Sequence, residues 1–274
     1  MKEFTVGVTL PSNTEVRVHE IKNKDYMTIL KYCENIDGEG LNLFFFKSIF
    51  SDLVNLDILD KFYLLLACRM LFVDPDISFT TDDGKQINIP IQNVLTKIDH
   101  YEGEFAKIYK FDNFVLELGL PVSLFFKNVD DIYIGCIKSI TLNGISVDFN
   151  NLSSDDKNDL LSKLPGSVFN ILLQHINYVS RQLSDFIIID GNEQLNIKEV
   201  NINLLSNGLI SFILNIYSAS LVNFFELIYT FASRLSISQE SFLNMTPLDS
   251  RILLNIYKKD MEEREKELQR QEGM

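Results

Sequence analysis

Apolar side chains recur at every second position through the first 21 residues. They stand on both sides of a polar turn at residues 11–14, and they are Phe4, Val6, Val8, Leu10, Val16 and Val18. Period-two alternation is typical of a strand with one apolar and one wet face. The opening residues therefore predict a β-hairpin.

Helical spacing replaces this alternation from residue 23. Asn23 is a candidate N-cap for a helix that ends at Asp37-Gly38 and Gly40, and residues 41–53 predict a second helix. Asp57 can cap a third helix, whose run at 62–68 is apolar on all sides. A helix without a polar face belongs in the core, so the third helix is predicted to be central.

Strand patterns return after Pro75. Residues 77–81 and 87–90 flank a turn at 82–85, and further short strands are predicted at 114–118 and 133–137. Asn143-Gly144 is the strongest hairpin-turn signal in the chain, because both central positions of that turn favour residues that tolerate positive φ.

Helices dominate from Ser153 onward. The pattern predicts a short helix at 153–163 and a longer one at 168–183. A hairpin is predicted around Asp190-Gly191-Asn192, and an apolar helix is predicted at 209–232. The inner face of the helix at 168–183 is predicted to carry Phe169, Leu172, Leu173, Ile176 and Val179. Thr246-Pro247 starts a last helix, which becomes almost purely charged after Lys258.

These elements predict an α+β fold. The N-terminal part combines short antiparallel strands and hairpins with packed helices, and the C-terminal part is mainly helical. We expect a mixed domain at 1–152 and a mainly helical domain at 153–274, which ends in a charged helix at 246–272.

Composition narrows the functional classes. The chain of 274 residues has 25 basic and 38 acidic side chains, so its formal charge is −13. An acidic surface repels phosphates, which argues against a nucleic-acid partner. The N-terminus lacks the apolar run of a secretory signal, and three scattered Cys without a CxxC pair favour a reducing cytoplasm over a disulfide framework.

The apolar stretch 209–232 has the length of a membrane span, which needs about 20 residues. Polar residues nevertheless recur along it at helical spacing, and they are Ser211, Asn215, Ser218, Asn223, Glu226 and Thr230. A charged Glu and two Asn are costly in lipid. We therefore predict a largely buried helix of a soluble protein.

Signals for catalysis and for cofactors are weak. The sequence has no glycine-rich phosphate loop and no nucleophile elbow, and none of its three His has a second ligand at metal-binding spacing. Asp74-Pro75-Asp76, Asp82-Asp83, Asp130-Asp131 and Asp155-Asp156 are explained by turns and caps. Asp190-Gly191-Asn192-Glu193 lacks the ligand ladder of a calcium loop. We expect no metal and no cofactor.

The charged tail offers a candidate site for a partner. Basic and acidic residues alternate from Lys258 to Glu272, as on a helix that lies in solvent. Such a helix either is a solvated terminus or docks on another protein through its apolar side. The candidate docking residues are Leu248, Ile252, Leu253, Ile256, Tyr257 and Met261.

Two groups of segments along the chain look familiar. The first group is Val8-Thr9-Leu10-Pro11-Ser12, Val16-Arg17-Val18, Leu59 to Leu66 with Arg69, and Ile77-Ser78-Phe79. The second is Phe224-Phe225-Glu226, Phe231-Ala232, Leu235 to Ser238, Asn244 to Pro247 and Ile252-Leu253-Leu254, followed by the charged helix. Both groups resemble the T-even-type bacteriophage baseplate protein family, which includes baseplate hub assembly proteins. The residues at 81–85 lack the Cys pair that some members carry, and 184–210 looks like extra sequence.

The resemblance implies a non-enzymatic role. The protein would help to assemble the central hub of a contractile-tail baseplate, as a chaperone or scaffold for other hub or tape-measure proteins. It would act in the host cytoplasm and either leave or stay in the virion. The 21 Phe and 10 Tyr could supply some contacts.

Two other functions stay open at this point. One is a hydrolase with a pair of carboxylates in a cleft, about 5–10 Å apart. The other is a module that binds a small ligand in an apolar pocket.

Overall fold

Antiparallel hairpins and helices make up the structure, a computed structural model that describes residues 4–51, 56–80, 86–99, 104–124, 126, 129–142, 144–186, 188–190, 199–201 and 208–272. The helices are α1 (Asn23–Glu34), α2 (Gly38–Phe44), α3 (Ile58–Phe72), α4 (Ile91–Asp99), α5 (Val129–Cys136), α6 (Ser154–Ser162), α7 (Gly166–Phe186), α8 (Gly208–Tyr217), α9 (Leu221–Arg234), α10 (Gln239–Leu243) and α11 (Pro247–Glu272). The strands are β1 (Thr5–Thr9), β2 (Glu15–His19), β3 (Phe50–Ser51), β4 (Asp76–Thr80), β5 (Gln86–Pro90), β6 (Lys107–Lys110), β7 (Phe114–Leu118), β8 (Ile137–Leu142), β9 (Ile145–Asp148), β10 (Ile188–Asp190) and β11 (Glu199–Asn201). The predicted α+β fold class is confirmed.

The predicted opening hairpin is confirmed. Val8 lies opposite Val16 and Val6 opposite Val18, so the alternating apolar side chains fall on one face. β3 extends the sheet by pairing with β2, where Phe50 faces Val18. The other strand pairs are β4 with β5 and β10 with β11, and β6 to β9 form a four-stranded antiparallel sheet.

α3 is the centre of the largest hydrophobic cluster. Asp57 caps it as predicted, since its carboxylate accepts hydrogen bonds from the amides of Leu59 (2.9 Å) and Asp60 (3.0 Å). Residues 62–69 of this helix are all buried. Tyr217 of α8 joins the same cluster, and its hydroxyl donates to the Leu65 carbonyl over 2.6 Å. The prediction of a central third helix is confirmed.

α7 packs against the four-stranded sheet. Val168, Leu172, His175 and Val179 are buried at helical spacing, and the first two form a cluster with β7 and β8. The predicted inner face was partly wrong, because Phe169 is 42% and Leu173 45% exposed. They lie one position further round the helix from Val168 and Leu172, outside the stripe that meets the sheet.

Three hydrophobic clusters of described residues cross the predicted domain boundary at position 152. The first joins α3 to α8, the second joins the sheet to α7, and the third joins Leu30 of α1 to Phe224, Phe231 and Phe242. Each therefore contains residues from both sides of position 152. The division into 1–152 and 153–274 stays a prediction, and apolar packing is continuous across it.

Five local predictions were wrong where tertiary contacts decide the backbone. Lys22 is the N-cap of α1, because Asn23 is the first helical residue and its side chain is used in a long-range contact. The helix predicted at 41–53 ends in a π-helical turn at 45–49, after which Phe50 and Ser51 pair with β2. The glycines at 38 and 40 lie in α2, which Asp37 caps.

Further along the chain, a strand was predicted at 133–137. Residues 133–136 instead belong to α5, and the strand β8 begins at Ile137. The predicted helix at 209–232 is two helices, because Ser220 caps a new one at Leu221. The hairpin turn after β8 is confirmed at Gly144, whose φ is +82°. The predicted turns at 82–85 and 191–192 and position 143 lie outside the described residues.

Candidate partner-binding site

The last helix starts as the sequence predicts. Thr246 Oγ1 accepts a hydrogen bond from the Asp249 amide over 3.0 Å and donates one to the Asp249 carboxylate over 2.7 Å. Pro247 follows the cap, where a missing N–H removes no helical hydrogen bond. The negative charge of Asp249 in the first turn also interacts favourably with the helix dipole.

The first turns of α11 are fastened to the start of α1. Asn23 is 1% exposed, and its Nδ2 donates to Ser250 Oγ over 2.6 Å and to the Phe242 carbonyl over 2.9 Å. The Asn23 backbone amide also donates to the Met245 carbonyl over 2.7 Å. A buried amide that makes several bonds fixes the orientation of the helix it holds.

Two further contacts hold α11 in place. Arg251 forms an ion pair with Asp74, which directly follows α3 and its C-cap. Leu253 and Leu254 pack against the third cluster. The helix is therefore attached to the body up to its second turn.

The rest of α11 lies in solvent. Residues 258–270 are all exposed, and we call residues 258–272 the free arm. At 1.5 Å per residue the free arm extends about 20 Å. Arg264 and Asp260 form an i,i+4 ion pair of 2.8 Å on it. Such pairs stabilise an exposed helix by about 0.2–0.5 kcal/mol each.

The six candidate docking residues do not share one environment. Ile252 (49% exposed) and Ile256 (59%) stack at i,i+4 and face solvent. Leu253 packs against the body, and Leu248 and Tyr257 are half-buried. Met261 is 37% exposed at the base of the free arm. Ile252, Ile256 and Met261 are therefore exposed to solvent, whereas Leu253 anchors the helix itself.

Sequence reasoning missed a second exposed apolar surface, on α9. Val222 (66% exposed), Phe225 (53%) and Tyr229 (73%) lie at i, i+3 and i+7, and we call them the α9 stripe. The signal was present, because these three alternate with the polar Asn223, Glu226 and Thr230. The prediction of a largely buried helix was wrong for this face.

The α8–α9 stretch also meets the length and composition criteria for a membrane span. Residues 211–234 contain a window with a mean hydropathy of 1.4. The backbone leaves helical geometry at Ser220 (ψ 123°), which divides the stretch into two helices. The stretch by itself does not show a membrane span.

A cavity of about 370 Å³ lies between α11 and the body, and we call it the α1–α11 cavity. It contains one carboxylate, Asp74, which is paired with Arg251. A second cavity of about 430 Å³ between α5, α6 and α7 also has one, Asp130. Glu20 and Asp25 share a small depression of about 100 Å³, where Asp25 accepts a hydrogen bond from the Lys22 amide at the start of α1.

Cys68, Cys136 and His175 line none of these three cavities. Cys68 and Cys136 are fully buried, and burial raises the pKa of both thiols. His175 Nε2 lies 3.3 Å from the Gly119 carbonyl, and burial lowers its pKa. Within the described residues, no group of three His, Cys, Asp or Glu is placed to hold a metal ion.

A family profile described as "T4 bacteriophage base plate protein" matches residues 1–184, which is two thirds of the chain. The chain belongs to this T4-type base plate protein family. The resemblance inferred from the segments between residues 8 and 79 is thereby confirmed. A T4-type base plate protein has a structural role in the phage tail baseplate, where it contacts other phage structural proteins. No curated protein and no solved structure matches the chain.

The match ends before the part of this base plate protein that carries α8 to α11. The resemblance of residues 224–254 to the family therefore stays a prediction. The match also ends where the predicted extra sequence at 184–210 begins. The α1–α11 cavity is lined from both parts, with Asn23 and Arg69 inside the match and Phe224 and Arg251 beyond it.

Proposed function

We propose that the protein is a non-enzymatic assembly factor of the baseplate hub. In this proposal it acts in the host cytoplasm, where it chaperones or scaffolds other hub or tape-measure proteins. The observation that carries the proposal is the free arm of α11, which projects from a helix base clamped to the body. The family membership supports a baseplate role, and the arm supplies a means of contact.

The contacts that hold the base of α11 on the body affect the free energy of binding a partner. A partner that docks on a preformed helix does not have to order it, so less of the interaction energy is lost on binding. Asn23 and Asp74 hold the base of α11 by a hydrogen bond and an ion pair. Ile252, Ile256 and Met261 then present apolar side chains among mixed charges, a pattern suited to a helix that pairs with another helix.

The α9 stripe extends the proposed docking area. Aromatic residues contribute strongly at protein interfaces because they bury a large area with few rotatable bonds. Phe225 and Tyr229 are more than half exposed. The two exposed apolar surfaces, on α9 and on α11, are suited to contact with other proteins.

The positions of the reactive groups support a non-enzymatic role. A hydrolase of the carboxylate type places two acidic groups across a substrate cleft, about 5–10 Å apart. Counting the residues that the structure describes, the two larger cavities each have a single carboxylate in their lining, and the one in the α1–α11 cavity is paired with Arg251. The buried thiols have raised pKa values, which makes them poor nucleophiles at neutral pH.

Co-expression of the protein with the products of neighbouring tail genes tests the proposal. We expect deletion of residues 258–274 to weaken capture of a hub or tape-measure protein and to reduce the number of complete baseplates. Phe225→Asp should weaken the same capture. Ile108→Asp is the matched control, since Ile108 is a similarly exposed apolar residue (64%) on β6.

The outcome that contradicts the proposal is equally concrete. If the deletion and Phe225→Asp leave every tail-protein interaction and particle assembly at the level of Ile108→Asp, neither surface docks a partner. Comparing the proteins of purified particles with those of infected cells then shows whether the protein stays in the virion.

A further inference from the structure

The α1–α11 cavity has a charged wall, an apolar wall and an open rim. Its rim is formed by the exposed residues Ser78, Asn215, Ser218 and Ala219. The apolar wall includes Val73, Ile216, Phe224, Leu227 and Leu254. A volume of about 370 Å³ lies within the range of small-ligand pockets, roughly 300–1,000 Å³.

Arg69 on the charged wall is buried, and none of the carboxylates among the described residues forms an ion pair with it. It is 9% exposed, its Nη2 donates to the Asp76 carbonyl over 3.1 Å, and its guanidinium lies 5.9 Å from the Tyr217 ring centroid. Its Nε has no hydrogen-bond partner among the described residues. Buried N–H groups in folded proteins nearly always have an acceptor, so this one calls for a ligand atom or a water.

The net charge of the cavity indicates which anion fits. Arg69 and Arg251 contribute two positive charges and Asp74 one negative, which leaves 2 − 1 = +1. The neighbouring Tyr26 stays neutral, since burial raises the pKa of its hydroxyl to about 12. One net positive charge matches a carboxylate better than a phosphate dianion. A guanidinium also matches the planar geometry of a carboxylate.

We propose that the α1–α11 cavity binds a carboxylate that is attached to an apolar group. The carboxylate pairs with the guanidinium of Arg69, and the apolar group packs on Phe224 and Leu227. Two sources share this chemistry, namely a small free carboxylic acid and the C-terminal residue of another polypeptide. The cavity lining does not include the exposed residues of the proposed docking surfaces. A negative result for carboxylate binding therefore leaves the proposed assembly function untouched.

Nitrogen-15 NMR on the full chain tests the site directly. The chain has seven Arg, so its Nε–H region contains few signals, and Arg69→Lys assigns that of Arg69 by its loss. Hexanoate should shift the Arg69 signal and bind at least about tenfold more tightly than hexanamide, because only the acid supplies a charged acceptor. Equal binding of the two compounds, or no shift with hexanoate, overturns the proposal.

Variants separate binding from folding. Arg69→Met should abolish hexanoate binding, whereas Arg234→Met should leave it unchanged because Arg234 lies outside the cavity lining. If Arg69→Met does not fold, the hexanoate and hexanamide titrations of the unmodified protein decide the matter. Hexanoate binding that survives in a folded Arg69→Met protein overturns the assignment of Arg69.

Two more titrations identify the source of the carboxylate. Acetyl-Ala-Ala-Leu with a free C-terminus should bind more tightly than hexanoate if the ligand is a chain end, and no more tightly if it is a small acid. Its C-terminal amide should not bind in either case. Inorganic phosphate that binds more tightly than both acids overturns the choice of a carboxylate.

Discussion

Asn23 Nδ2 donates a hydrogen bond to Ser250 Oγ over 2.6 Å and thereby joins the first turn of α1 to the first turn of α11. The two residues are 227 positions apart in the sequence and both are buried. Ser250 Oγ in turn donates to the Thr246 carbonyl over 3.0 Å. The start of the last helix is thus part of one buried hydrogen-bond network with the N-terminal region.

Asn23→Ala should destabilise the protein by about 1–3 kcal/mol, because it removes two buried hydrogen bonds and leaves Ser250 Oγ without its donor. Urea unfolding measures this loss. Lys24→Ala is the matched control, since Lys24 is the next residue of α1 and is exposed, and a change within about 0.5 kcal/mol is expected. Equal effects of the two substitutions would show that the network contributes nothing.

Tyr217→Phe should lower the free energy of unfolding by about 1–1.5 kcal/mol. The substitution keeps the ring against Phe45, 5.0 Å away between centroids, and removes only the hydroxyl that donates to the Leu65 carbonyl. Thermal unfolding gives the difference. Tyr229→Phe removes the same hydroxyl at a 73% exposed position and should be neutral, so a similar loss there would contradict the argument.

Deleting residues 258–274 should change the free energy of unfolding by less than about 0.5 kcal/mol, since residues 258–270 are exposed. Leu254→Ala should cost about 1–2 kcal/mol, because Leu254 is half-buried against the third cluster. Circular dichroism during thermal unfolding compares the two. A large loss on deletion would mean that the free arm folds back on the body.

Stability should fall as the pH drops below about 6.5, the ordinary pKa of His. Burial lowers the pKa of His175 in the folded protein, so below pH 6.5 the unfolded chain binds the proton more readily. The slope contributed by one proton is at most about 1.4 kcal/mol per pH unit. Urea unfolding between pH 7.5 and 5.5 should show a smaller slope for His175→Gln, and an unchanged slope would contradict this origin.

The native thiols should react slowly with Ellman's reagent at pH 8. Burial raises the pKa of Cys33 and Cys136 to about 12 and that of Cys68 further, and only the thiolate is nucleophilic. A rate at least about a hundredfold below that of free cysteine is expected. Unfolding in guanidinium should release three fast-reacting thiols, and one fast thiol in the native protein would contradict the burial argument.

Local signals were sufficient where the chain's own periodicity decides the structure. The alternation at Val6 and Val8 predicted the first hairpin, Asp57 predicted the start of α3, and Thr246-Pro247 predicted the start of α11. Each of these rests on side chains within a few positions of the backbone they affect. The family resemblance rested on such local segments as well.

Contacts between residues far apart in the sequence decided the rest of the structure. Phe50 is a strand residue because β2 offers it a sheet edge, and Asn23 is not a cap because its side chain bonds across to Ser250. The polar Asn223 and Glu226 beside Phe225 indicate a polar side of α9, but they do not show that Phe225 itself is left uncovered. A one-dimensional pattern gives the faces of a helix but not the neighbours that cover them.

The sequence by itself determined the α+β class, the acidic charge of −13, the shortage of reactive groups and the charged last helix. These depend on composition and on periodicities of two and 3.6 residues. Only the tertiary structure decided that Leu253 anchors α11 while Ile252 stays exposed, and that Arg69 and Arg251 line one cavity. Such groupings depend on long-range packing between α1, α3 and α11, whose residues lie far apart along the chain.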